Sequence, residues 1–407
     1  MSDVVKQEGI DGRTVILGLQ HTFVMFGATV LVPIITGLDV GVALFAAGVG
    51  TLIFHVLTKF KVPVFLGSSF AFIPPVMAVA ENFGGDLAYA TGGILVAGLV
   101  YAVVSVVFTF ISSDILHKIL PPHVTGPIII LIGMTLAPVA IDGASSNWAL
   151  AVVTFAVGVI VKICFEWVGM KFLSLLPVLF ALVIGYLVAL IAGAVDFSSV
   201  NDAAWVGLPA FMLPKFHGGA LALVVPVALV TMVEHFGDVI AIGNVVKKDF
   251  LKDPGVNRTL LGDGLATSLS ALVGGPANTT YSENTGAVAL TGVYNPVVMR
   301  IAAIFAIVLS VIPKFTALIG TIPGSVIGGI SILLFGMISA IGIRNMVEAR
   351  VDMNEPQPLI IIAAMLVLGL GGAEFAFGQV SFSGLALSAI VGILLNLVIN
   401  FKSFKRA

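Results

Sequence analysis

From Thr14 almost to its end the chain is a series of apolar stretches, each about long enough to cross a bilayer and cut by short Gly-, Pro- or charge-bearing breaks. Few folds accept such a pattern. In hydrocarbon every backbone N–H and C=O must be satisfied within the protein, so the stretches are expected to be helices. Charged residues make up 10% of the 407 and hydrophobic ones 59%, whereas a soluble chain carries roughly 25% charge. At about 20 residues per crossing, the breaks give fourteen segments, near 14–36, 40–58, 62–80, 88–110, 119–140, 147–165, 172–195, 218–246, 257–274, 278–292, 296–313, 316–343, 357–373 and 382–401. The third and tenth are short and interrupted by Gly, Pro, Ser or Thr, as in helices that unwind at the midplane to line a site.

Charge sorts these segments into a topology. With fourteen crossings and both termini in the cytoplasm, 17 of the 19 Lys and Arg fall inside, Lys6, Lys402, Lys405 and Arg406 among them, and only Lys215 and Lys314 fall outside. That is the bias expected of a multi-pass protein of the cytoplasmic (inner) membrane. The run from Thr14 to Ile35 is too long for a signal-peptide core and is expected to stay as the first span. A net charge of −2 without a basic stripe points away from nucleic acid, and a single cysteine, Cys164, excludes an intramolecular disulfide. There is no metal-ligand cluster, Walker loop or nucleophile motif, so neither an enzyme nor a cofactor is expected.

The chain also echoes itself. Gln20-His21 is matched by Glu234-His235, and Gly48 and Gly50 by Gly262 and Gly264, all at an offset of 214. The two broken segments, Gly67-Ser68-Ser69-Phe70 and Thr279-Thr280-Tyr281-Ser282-Glu283, follow in the same order. If the eighth span repeats the first, seven spans separate the copies, and an odd number inverts the second copy in the membrane.

Two polar islands break the apolar pattern. Glu234, His235 and Asp238 lie within the eighth segment and Glu283-Asn284 within the tenth. An ionisable group at membrane depth costs at least ~2.5–3.5 kcal/mol, which makes it a functional candidate. Glu234 and Asp238, four apart, share a helix face. His235 is read chiefly as a packed, hydrogen-bonded imidazole, and Asp263 as a water-facing residue near the cytoplasmic end of the ninth segment. Ionised carboxylates accept hydrogen bonds, so the preferred solute carries N–H donors, and Phe70, Phe72, Tyr281 and Phe335 are candidate aromatic walls.

Glu283-Asn284-Thr285-Gly286 followed by Thr291-Gly292 resembles the signature of nucleobase–cation symporter family 2, the nucleobase–ascorbate transporters. Gln20-His21, Phe26-Gly27-Ala28-Thr29, Gly67-Ser68-Ser69-Phe70-Ala71-Phe72, Glu234-His235-Phe236-Gly237-Asp238 and Asn278-Thr279-Thr280-Tyr281 are similar to its uracil permease branch. The resemblance covers essentially the whole chain. It implies an all-α membrane protein of fourteen spans in a 7+7 inverted repeat, with short paired β-strands in the third and tenth. A core domain would comprise residues 1–118 and 218–313, and a gate domain residues 119–217 and 314–407.

The same resemblance implies a substrate site of Glu234, Glu283, Phe70, Ser282, Tyr281, Ala28 and Phe335, with proton coupling through Glu283, Asp238, Glu234 or His235. It further implies a homodimer in membrane lipid that imports uracil by proton symport in an elevator motion. A xanthine or other base symporter, Na⁺ as the coupling ion and an anion exchanger of the same fold are the alternatives. Three positions depart from the family pattern: Asp238 stands where some relatives carry histidine, Phe335 where a tyrosine occurs, and Gly292 where Arg or Lys often ends the signature.

Overall fold

The computed structural model describes residues 11–110, 113–377, 380–382 and 384–400. Both termini, and with them Lys6, Lys402, Lys405 and Arg406, lie outside the described residues. α1 (Gly12–Thr36) begins where the Asp11 carboxylate accepts the Thr14 N–H at 2.8 Å, and ends at Gly37 with φ of 80°. α2 (Val40–Leu57) is capped in the same way by Asp39, which accepts from Val42 N–H at 2.7 Å. Each cap satisfies a backbone donor that the helix leaves free. Then follow β1 (Leu66–Ser68), a 3-10 turn (Phe70–Phe72), α3 (Ile73–Asn82) and α4 (Ala88–Phe108). The first half closes with α5 (Ser113–Ile119), α6 (Pro122–Thr135), α7 (Ala137–Ser145), α8 (Trp148–Trp167) and α9 (Pro177–Ile191).

After α10 (Ser198–Asp202), the second half holds α11 (Gly218–Val224), α12 (Val227–Val246), α13 (Val256–Leu272), β2 (Asn278–Thr280) and α14 (Ser282–Thr291). It continues with α15 (Val297–Ser310), α16 (Pro313–Gly320), α17 (Gly324–Glu348), α18 (Pro356–Leu370), the small hairpin β3 (Phe375–Phe377) and β4 (Val380–Phe382), and α19 (Gly384–Ile399). Every one of the fourteen segments contains helix, but among the described residues length and composition alone qualify seven helices as crossings, or eight when α15 and α16, bent by 84°, count as one. Four more apolar helices are shorter, at 10–17 residues. At 1.5 Å per residue these reach about 15–26 Å, less than the ~30 Å hydrocarbon core.

The helices pack in two sets. α13 lies between α4 and α2, and α2 lies on α15, with α1 on α15; α17 lies against α6, α7, α8 and α9, and α18 against α6 and α19. Contacts between the sets include α12 on α6 and α19, and α1 on α9. α4 and α13 approach closely through facing glycines: a methyl on Gly98 would stand 2.6 Å from the Gly264 carbonyl oxygen. Such small-residue contacts are how helices associate where lipid removes any hydrophobic drive.

Polar contacts at the loops join particular turns. Lys61 pairs with Asp253 at 2.5 Å and Arg258 donates to the Leu57 carbonyl at 3.3 Å. Lys215 pairs with Asp86 at 2.7 Å, and Lys314 sits 5.1 Å from the Trp205 ring centre. The hydrogen bond from Lys215 holds the Asp86 carboxyl below its ordinary range.

Candidate functional site

β1 and β2 pair antiparallel in the interior, Leu66 opposite Thr280, Gly67 opposite Thr279 and Ser68 opposite Asn278. Two further bonds extend the ladder, Ser69 N–H to Ala277 O at 2.8 Å and Tyr281 N–H to Phe65 O at 3.0 Å. A two-stranded ribbon leaves both outer edges unpaired, which is costly away from water. Threonines close them. The Thr51 hydroxyl on α2 accepts from Leu66 N–H at 2.9 Å and donates to Leu66 O at 3.3 Å. The Thr267 hydroxyl on α13 does the same for Asn278, at 3.2 and 3.0 Å. Asn278 Nδ2 donates on to the Ala46 and Ala266 carbonyls.

Each strand runs straight into a helix start. The 3-10 turn begins after Ser69 and α14 after Tyr281, and neither N-cap makes a side-chain capping bond. Free N–H groups at a helix N-terminus form a ready-made site for a carbonyl or anionic oxygen. Across from them stands α12, whose Glu234 and Asp238 share a face as their spacing requires. These groups meet in a cavity of about 40 Å³ lined by Phe70, Ile129, Glu234, Asp238, Thr279, Thr280, Tyr281, Ser282, Glu283, Ile338 and Ile341. An adjoining cavity of about 310 Å³ shares Ser282, Glu283, Ile338 and Ile341 with it.

The two α12 carboxylates are held differently. Asp238 accepts from Ser282 Oγ at 2.6 Å on one oxygen and from Thr280 Oγ1 at 3.0 Å on the other. Glu234 Oε2 is buried with no hydrogen-bond partner among the described residues. A buried, unmet carboxylate oxygen is expensive, and the side chain that carries it is part of the cavity lining. Glu283 lies in the first turn of α14, where the helix dipole favours a negative charge. Asn284 Nδ2 donates to the His21 carbonyl at 3.2 Å, tying α14 to α1.

Of the residues singled out from sequence, Phe70, Glu234, Asp238, Tyr281, Ser282 and Glu283 come together at this cavity. Ala28 and Phe335 do not line it; both are buried in helix packing, and Phe335 stands behind Phe70 with ring centres 5.9 Å apart, edge to face. Tyr281 gives its hydroxyl to Ser68 O at 3.0 Å, so it braces the strands while its ring forms a wall. His235 turns away from the cavity: its Nδ1 lies 3.3 Å from Asp263 Oδ2, and both side chains are fully buried.

The expectation of a water-facing Asp263 is therefore overturned. Gly262 and Gly264, on either side of it, let Phe54 of α2 and Tyr101 of α4 close over that stretch of α13. The sequence reading also missed the Thr280 and Ser282 side chains as partners of Asp238. Residues two apart in an extended chain face the same way, so the spacing held that signal. Ile129, Ile338 and Ile341 had no such signal, because nothing marks one isoleucine in an apolar helix as site-facing.

Comparison with known proteins agrees with this architecture. A model of the Permease family (Xan_ur_permease) matches residues 12–376. The uracil permease of Bacillus caldolyticus is 45% identical over 404 residues, covering 95% of this chain and 92% of the relative. The probable uracil permease of Haemophilus influenzae is 44% identical over 388 residues, covering 94% and 93%. Among solved structures, the transmembrane domain of a cyanobacterial bicarbonate transporter, BicA, superposes with a TM-score of 0.65 at 16% identity, covering 95% of this chain and 97% of that one, which speaks to fold alone. A family match across most of the sequence, together with such identity over nearly full length, means that the chain belongs to the permease family of nucleobase–cation symporters, multi-pass membrane transporters and not enzymes.

Proposed function

We propose that this permease imports uracil across the cytoplasmic membrane by proton symport. The observation that carries the reading is Glu234, whose side chain lines the same cavity as two helix starts without side-chain caps and has one buried oxygen with no hydrogen-bond partner among the described residues. A uracil ring has complementary groups, N–H donors for Glu234 and carbonyl oxygens for the main-chain N–H groups near Phe70 and Ser282. The relatives named as uracil permeases support that base over xanthine. An anion exchanger of the same fold fits poorly: no Lys or Arg lines the small cavity. Glu283 or Asp238 carries the coupling proton, with Na⁺ the alternative ion.

The proposed architecture is fourteen crossings in an inverted repeat. Leu66 and Thr280, paired across the ribbon, are 214 residues apart, the offset of the repeat, as expected if a pseudo-two-fold axis passes between them. Residues 1–118 and 218–313 form the core and residues 119–217 and 314–407 the gate, a division that follows the two packing sets. The loop contacts support the sidedness, since Lys61–Asp253 and Arg258–Leu57 join loops assigned inside, and Lys215–Asp86 and Lys314–Trp205 join loops assigned outside. Both termini are then cytoplasmic, and the larger cavity, which reaches Lys162 and Arg344, opens inward. The protein works as a homodimer, its core moving against the gate as an elevator.

Uptake of labelled uracil into proteoliposomes in sodium-free buffer, driven by an inward proton gradient, tests the function. Accumulation that collapses with a protonophore is the expected result. Uptake that needs sodium, or that never exceeds equilibrium, would rule out proton symport. A second expectation concerns Asp238. Thr280→Val combined with Ser282→Ala leaves two carboxylate oxygens without donors, at about 1–3 kcal/mol for a buried group. Uracil affinity should fall roughly 5–150-fold as α14 loses its tie to α12, while Ser282→Thr, which keeps a hydroxyl, stays near wild type in a binding assay.

A further inference from the structure

The small cavity and the larger inward one meet at Ser282, Glu283, Ile338 and Ile341. A ligand longer than a base therefore leaves the base cavity past Glu283. Two cations lie on that path, Lys162 on α8 and Arg344 on α17. Arg344 is three and six residues beyond Ile341 and Ile338 on one helix, about 4.5 and 9 Å further along the axis. It has a carboxylate nearby, Glu348 at 3.6 Å, but both are mostly exposed, and a guanidinium has five donors to share. Import of a neutral base does not itself call on these cations, whose place on the inner side also satisfies the positive-inside bias.

We propose that this inward cavity binds a pyrimidine nucleoside monophosphate, which occludes the base site from the cytoplasm. This rests on the base-transport reading above. The ring N–H left after glycosylation donates to Glu234, the ribose hydroxyls donate to Glu283, and the phosphate is taken by Lys162 and Arg344, guanidinium and ammonium both being effective phosphate partners. Imported base has to be consumed inside by a reaction that attaches ribose phosphate if it is to be retained as an anion, so the ligand would be the product of that class of reaction and would slow further import.

The test is competition against labelled uracil on the full-length protein in neutral-lipid nanodiscs, with uridine 5′-monophosphate, uridine and inorganic phosphate as probes. The expected order is monophosphate well ahead of uridine, with phosphate alone weak. In Lys162→Gln/Arg344→Gln the monophosphate should lose at least tenfold in affinity while uracil binding stays unchanged. Equal competition in wild type and the double variant, or none in wild type, would overturn the proposal, provided uracil binds. Absence of uracil binding would instead count against the transport reading. Adding anionic phospholipid distinguishes the phosphate source: competition by the monophosphate is expected to persist in anionic discs, and its complete loss there would mean that lipid headgroups hold the cations in a membrane and would overturn the nucleotide as their ligand.

Discussion

Glu234→Gln is expected to abolish uracil uptake while leaving the protein folded. Glutamine has nearly the same shape, so packing on α12 survives. What changes is chemistry: on the proposed reading the carboxylate accepts from the ring N–H groups, whereas one end of the amide donates towards a ligand that also donates. Hydrogen bonds to charged groups contribute about 1.5–3 kcal/mol, so binding should weaken by at least roughly 10–150-fold. Stability should not fall, because Oε2 has no partner among the described residues to lose. Binding and thermal unfolding measured on the same preparation separate the two effects. Wild-type affinity in the variant would remove Glu234 from the site, and a collapse of the unfolding transition would recast it as structural.

Gly67→Val should be the most damaging small substitution near the site. A Cβ at Gly67 would clash with Cζ of the Tyr281 ring, and no shift of a flexible side-chain tip can relieve it, since that ring is buried and its hydroxyl is fixed to Ser68 O at 3.0 Å. Either Tyr281 leaves the wall of the cavity or the β1–β2 register opens. Overpacking of this kind costs about 1–3 kcal/mol, and here the strain falls on the ladder that aims both helix starts. Uracil binding should be lost with at most a moderate drop in thermal stability. Retained binding would mean that the ribbon is more pliant than its hydrogen bonding implies.

Much of this molecule was legible from its residues. The apolar stretches and their breaks located the helices, the Gly, Ser and Thr content of the third and tenth segments marked where helix is interrupted, and the family resemblance supplied the paired strands there. The spacing of Glu234 and Asp238 put them on one face, and the motifs around Glu283 pointed to the family. The error came where a side chain's surroundings depend on another helix. Asp263 looked water-facing because its own segment gives no hint that Phe54 and Tyr101 close over it.

The sequence by itself determined that this chain must be a helical membrane protein with acidic groups inside, because hydrocarbon permits little else for its backbone and charges so many residues a high cost for staying polar. Only the tertiary structure decided what each acidic group does. Asp238 is held on both oxygens by hydroxyls from β2 and α14, Glu234 lines a cavity, and His235, one residue and about 100° around the helix from Glu234, is turned inward to Asp263. Spacing along a chain fixes the direction of a side chain relative to its own helix, but not which neighbour stands in that direction. The neighbour is what turns a buried carboxylate into a clamp, a buried pair or a binding group.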